Sequence, residues 1–153
     1  MGAKKKLGSL PKAARGKPVV VPTQGRLPDA HTSEQRLAWR FSHVDHDGRW
    51  GLDKIDQQTF GELLEKLRDF ERFTLNELRN TSGTFTTYGL PDAPLCKEAY
   101  TRLAAMRRDD MTEIHRLRLQ GKQRLYGFLN GNVFHVVWWD PEHEVYPVSK
   151  RNT

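Results

Sequence analysis

Side chains able to do chemistry concentrate in the last third of the chain. There Arg124, Tyr126, His135 and Trp139 lie on two β-prone runs separated by Asn130-Gly131. An Asn-Gly pair between alternating segments is a strong hairpin signal, because both positions tolerate positive φ. With Asn130-Gly131 as a two-residue turn, Leu129 faces Asn132, Tyr126 lies opposite His135, and Arg124 lies opposite Val137. Alternation then gathers Arg124, Tyr126, Phe128, His135 and Trp139 on one face, and Leu125, Leu129, Phe134, Val136 and Trp138 on the other. The second face is uniformly apolar and should take the helices. The first offers rings to stack on bases and a guanidinium to hold phosphate, which suits an RNA-binding surface. A half-exposed sheet with no ligand would have the same composition.

Other combinations are weaker. Asp45-His46-Asp47-Gly48 has the look of a calcium loop, but alignment on Gly48 puts His43 at the first ligand position and Lys54 where a bidentate glutamate is required. His43 and His46 have zinc-pair spacing, and no second pair at suitable spacing follows. Cys96 is the single cysteine, which excludes an internal disulfide and fits a reducing cytosol. No metal or cofactor is expected.

The elements that must position these residues follow from periodicity. Leu37–Val44 alternates as a strand. Asp56–Phe73 is the clearest helix, with Phe60, Leu63, Leu64, Leu67 and Phe70 on one stripe. Thr74-Leu75-Asn76-Glu77 is a capping box that starts a short second helix. Thr84–Tyr88 is β-prone, and a third helix spans about Pro94 to Arg107. Strands follow at Glu113–Leu119, Arg124–Leu129 and Val133–Trp139, with a short final one over Val145–Val148.

A chain of 153 residues fits one domain. The mean hydropathy of −0.74 places part of it outside the core. The formal charge is +6, yet residues 1–30 hold seven Lys/Arg and one acid, leaving 18 basic and 18 acidic residues from position 31 onward. The basic excess therefore lies in a Lys-, Pro- and Gly-rich stretch, 1–30, expected to be a disordered arm, with a single α+β domain over 31–153. No segment has the apolar length of a membrane span, and no h-region follows the N-terminal lysines.

Gln123-Arg124-Leu125-Tyr126, the hairpin, and Glu144-Val145-Tyr146 after a turn resemble the C-terminal half of RelE-type toxins of the RelE/ParE superfamily. The run Leu117–Lys122 through Trp138–His143 is similar to actinobacterial proteins of this type. The likeness covers roughly Trp39–Val148. It implies an N-terminal strand and helices packed on a C-terminal antiparallel sheet of three to four strands. It also implies metal-independent cleavage of messenger RNA, on the ribosome, by attack of the 2′-hydroxyl on the adjacent phosphate, in a cytoplasmic protein neutralised by an antitoxin. On the matching positions, Arg124 would clamp the phosphate, His143 would act as general acid or base, and Tyr146 would stack on or orient a base. Arg118, Lys122, Tyr126 and His135 would contact RNA, and Glu142 and Glu144 are alternative bases. Each has a plainer reading. Arg124 could pair with a neighbouring acid, His143 could cap its turn, and Tyr146 could be a half-buried strand aromatic. ParE-type members share the fold, lack the RNA-cutting residues and inhibit gyrase, so a non-catalytic interaction protein or an RNA-binding module is the alternative.

Overall fold

The computed structural model describes residues 35–147. The expected arm over 1–30 and the end of the expected last strand, Val148, lie outside the described residues. Nine elements of backbone structure include five strands, β1 (Ala38–Arg40), β2 (Phe85–Gly89), β3 (Glu113–Arg118), β4 (Arg124–Asn130) and β5 (Val133–Asp140). They form one sheet in the order β1-β5-β4-β3-β2. β1 pairs parallel to β5 and all other pairs are antiparallel. The sheet is thus mixed and five-stranded, where three to four antiparallel strands were expected. The difference comes from β1 and β2, whose partners are far away in sequence.

The helices start where local chemistry directs. The Asp56 carboxylate caps α1 (Gln57–Phe70), accepting from the Thr59 amide at 2.9 Å. Ahead of α2 (Leu75–Asn80), the Thr74 hydroxyl accepts from the Glu77 amide at 3.1 Å, and the Glu77 carboxylate accepts from the Thr74 amide at 2.8 Å. Leu63, Leu67, Leu75 and Leu78 of these helices pack against Leu117, Leu125, Phe134, Val136 and Trp139 on one face of the sheet. Of the expected α1 stripe, Phe60 and Leu64 stay exposed. The third helix, α3 (Lys97–Ala105), covers the opposite face with Ala99 and Leu103, packed with Trp50, Ile114, Tyr126, Phe128, Val137, Trp138 and Val145. Both faces are therefore covered.

Two details set the register. The hairpin turn is Gly131-Asn132, because Asn130 pairs with Val133, and Gly131 takes φ 61° as the first turn residue. A bulge then shifts the pairing between Tyr126 and Gly127, with Gly127 opposite Val136 and Tyr126 opposite Trp138. A Cβ at Gly127 would lie 2.2 Å from the His135 carbonyl oxygen, so only glycine fits this close approach. The register expected from the sequence is corrected accordingly. Tyr126 faces Trp138, not His135, and Arg124 faces Asp140, not Val137. Trp138 and Trp139 exchange sides, so Trp139 joins the α1–α2 face.

The Asp45 carboxylate, in the turn with the look of a calcium loop, is used internally. It accepts from Arg102 Nε at 2.9 Å and Nη2 at 2.7 Å, Trp138 Nε1 at 3.1 Å and the Gly48 amide at 3.2 Å. Burial alone would push its pKa up, but the hydrogen bonds from Arg102 and Trp138 outweigh it and hold the carboxyl below its ordinary value. This node ties the loop after β1 to α3. Among the described residues, no helix is long and apolar enough to cross a membrane.

Candidate functional site

Directly paired residues on adjacent strands share a face. Arg116 pairs with Thr86 and Tyr126; Arg118 pairs with Arg124; Arg124 pairs with Asp140. Three arginines thus converge at the end of the sheet face not covered by α1 and α2. Like charges placed directly opposite one another destabilise a sheet, so Arg118 facing Arg124 is a poor choice for folding alone.

Arg124 is 8% exposed. Its Nη1 donates to the carbonyls of Gly121 at 2.7 Å and Gln123 at 2.9 Å, which fixes the β3–β4 turn. Burial, followed by the Arg116 and Arg118 charges, lowers its pKa, while Tyr126 and Asp140 act the other way. Arg116 donates from Nη2 to Thr86 Oγ1 at 3.1 Å, and its guanidinium lies 5.7 Å from the centre of the Tyr88 ring. Tyr88 in turn stacks on Tyr146 at 4.7 Å and 19°. The result is a layered Arg116–Tyr88–Tyr146 arrangement beside Arg124.

His143 is brought to the same cluster by the turn after β5. The fully buried Asp140 carboxylate accepts from the Glu144 amide at 3.0 Å and the Val145 amide at 2.8 Å. Between these anchors His143 adopts φ 59°, a left-handed backbone that histidine enters more readily than most residues. Val145 is locked in place as its carbonyl accepts from the Cys96 amide at 2.8 Å. Side-chain capping by Asp140 replaces the short strand expected over Val145–Val148; no strand forms over 145–147. Burial lowers the His143 pKa, followed by Arg124 and Arg116, with Asp140 opposing and Arg118 adding to the effect. Burial and the arginine charges both disfavour the imidazolium, so this site favours the neutral ring.

Sheltered polar atoms without a partner mark this region. Among the described residues these are Trp50 Nε1, Arg116 Nε, Arg124 Nε, Tyr126 Oη, His135 Nδ1 and His143 Nε2. Three of the six belong to this one cluster and a fourth, Tyr126 Oη, lies beneath it, although each such group costs about 1–3 kcal/mol.

The residues expected to act from sequence separate into four groups. Arg124, His143, Tyr146 and Arg118 converge. Lys122 lies at the rim, its Nζ 3.7 Å from Glu142 in an exposed pair that adds little stability. Tyr126 sits beneath the cluster with 0% exposure; it is a core ring, and burial raises its pKa well above the ordinary phenol value. His135 pairs with Phe128, roughly 13 Å along β4 from Arg124, and is not part of the cluster. Glu144 is engaged by Arg49. Arg116, Tyr88 and Asp140 complete the site and were not singled out from the sequence. Arg116 lies two residues before Arg118, on the same strand face, and that spacing was the available signal.

No protein family, curated protein or solved structure matches this chain.

Proposed function

We propose that the chain is a RelE-like endoribonuclease that cleaves RNA through 2′-hydroxyl attack, using the Arg116–Arg118–Arg124–His143 cluster. The observation that carries this reading is the convergence of a histidine and three arginines next to a stacked tyrosine pair. Each part meets a demand of the reaction. Neutral His143 accepts the 2′-hydroxyl proton as that oxygen bonds to phosphorus, and general-base help of this kind contributes about 10²–10⁴-fold. The arginines carry the extra negative charge of the five-coordinate phosphate. Breakage of the P–O5′ bond leaves a 2′,3′-cyclic phosphate and a 5′-hydroxyl, protonated by the imidazolium formed in the first step. Tyr146, stacked on Tyr88, offers a platform for a base flanking the cut. Messenger RNA on the ribosome as substrate, a cytoplasmic setting and a neutralising antitoxin belong to the same reading through the family resemblance.

Expression of wild-type protein and of R124A/H143A in cells, with mapping of transcript ends, tests it. The proposal expects new 5′-hydroxyl ends with the wild type and none with the double variant. Cleavage unchanged in the double variant, or intact transcripts with the wild type, contradicts it.

One observation favours a second reading, an RNA-binding module without turnover: Arg124 is nearly buried and tied to two turn carbonyls. That module would bind RNA in a salt-sensitive way and release it uncut.

A further inference from the structure

A second group of cationic and imidazole side chains lies away from the arginine cluster. The chain after β1 delivers His43 against the hairpin, where its ring lies 5.1 Å from that of His135 at 40°. Arg107, at φ 56°, turns the chain beyond α3 and presents Arg108, whose Nη2 donates to His43 Nδ1 at 2.9 Å. Arginine has donors only, so His43 accepts here and carries its own hydrogen on Nε2. His135 Nδ1 is sheltered and has no partner. Between these groups is a pocket of about 210 Å³, with His43, His135, Arg108 and Asn130 as its polar edge and Met111 and Phe128 among its apolar walls. That is many times the roughly 10–15 Å³ one water needs.

The charges decide what fits. The charged neighbours acting on His135 are His43, Arg40 and Arg108, and the one acting on His43 is Arg108; none is a carboxylate. A metal cation would find two imidazoles but face Arg108, and no group of three His, Cys, Asp or Glu that could hold a metal occurs among the described residues. An apolar ligand would leave the remaining Arg108 donors and the Asn130 amide without a polar partner. A tetrahedral oxyanion answers the guanidinium fork, both imidazoles and the Asn130 amide together. We propose that the His43–His135–Arg108 pocket is a phosphate-binding site separate from the Arg124 cluster. Its occupant is a free phosphate or a phosphate ester whose small substituent rests on Met111 and Phe128.

The test follows the imidazole carbon-bound proton signals of the full chain at pH 7 by NMR, during titration with inorganic phosphate at constant ionic strength. Saturable shifts of the His43 and His135 signals are expected, about tenfold weaker in Arg108→Gln and unaltered in Arg124→Ala. Asn130→Ala, at an exposed strand end, should weaken binding several-fold while leaving the amide spectrum intact. The His143 signal reports the arginine cluster in the same samples, so either site can fail without the other. A short phosphodiester RNA tested alongside should shift His43 and His135 less than inorganic phosphate if a terminal or free phosphate is the ligand; an equal or larger shift would make this pocket part of an RNA track instead and overturn the proposal. Absent shifts, shifts unaffected by Arg108→Gln, an equal response to acetate, or stoichiometric shifts with Zn²⁺ would also overturn it.

Discussion

Arg124 of β4 stands directly opposite Asp140 of β5, and the same Asp140 carboxylate holds the amides of Glu144 and Val145. A single buried acid thus faces the central arginine and also fixes the turn that carries His143. Asp140 touches no substrate in the proposed reaction; it is a positioning residue.

Asp140→Ala should therefore lose cleavage together with the turn. Two charge-assisted hydrogen bonds to backbone amides disappear, and destabilisation of about 2–3 kcal/mol is expected from urea unfolding. Asp140→Asn retains an acceptor and should recover part of both properties. A merely structural role would leave the pH profile of the folded fraction unchanged; here that profile should shift, because Asp140 opposes the depression of the His143 pKa.

The Tyr88–Tyr146 stack makes a prediction about binding. Tyr146→Ala should weaken RNA affinity by about 1–3 kcal/mol, measured by fluorescence anisotropy in a His143→Ala background that prevents cutting. Tyr88→Ala should do the same. The double variant should cost less than the sum, because each ring supports the other. Tyr146→Phe keeps the ring and should bind nearly normally. Strict additivity would contradict a shared platform.

Stability should fall on mild acidification. His43, His115, His135 and His143 are all held below the ordinary imidazole pKa, with burial the first cause in each. Below pH ~6.5 the unfolded chain takes up protons that the folded chain resists, so unfolding gains as pH drops. Above pH ~7.5 these groups are neutral in both states and contribute nothing. Asp45, whose pKa is also lowered, acts only at far lower pH. Calorimetry should show a lower Tm at pH ~5.5 than at pH ~7.5. A flat Tm over that window would contradict the burial of these rings.

Gly127→Ala should be among the most damaging single substitutions. The added carbon meets the His135 backbone and the buried Phe134 ring, so the bulge must rearrange at a cost of about 3 kcal/mol or more. Urea unfolding measures this; a loss under 1 kcal/mol, within the roughly 0.5 kcal/mol of an ordinary surface change, would show that the bulge is not fixed by this contact.

Local signals carried much of the fold. The Thr74–Glu77 capping box, the α1 period and the existence of the hairpin each depend on residues within a few positions of one another, and each is present in the structure. Register was not legible in the same way. Asn130-Gly131 indicated a turn, but the turn settled one residue later, and the bulge at Gly127 moved Trp138 and Trp139 to opposite faces. A glycine inside a strand was the signal for that shift. The candidate site was legible in part for the same reason. Arg118 and Arg124 lie on neighbouring strands, and His143 and Tyr146 follow the hairpin closely. Tyr88 reaches Tyr146 only through β2, which joins β3 across a long connection containing α3, and nothing near Tyr88 in sequence announces that pairing.

The central claim is tested most directly by incubating purified full-length protein with end-labelled RNA, free and ribosome-bound, in the presence of excess chelator. The account predicts fragments ending in 2′,3′-cyclic phosphate and 5′-hydroxyl, formed about 10²-fold or more slowly by His143→Ala and by Arg124→Ala. Uncut RNA in both settings, or fragments with the same ends formed at an unchanged rate by His143→Ala, would contradict it.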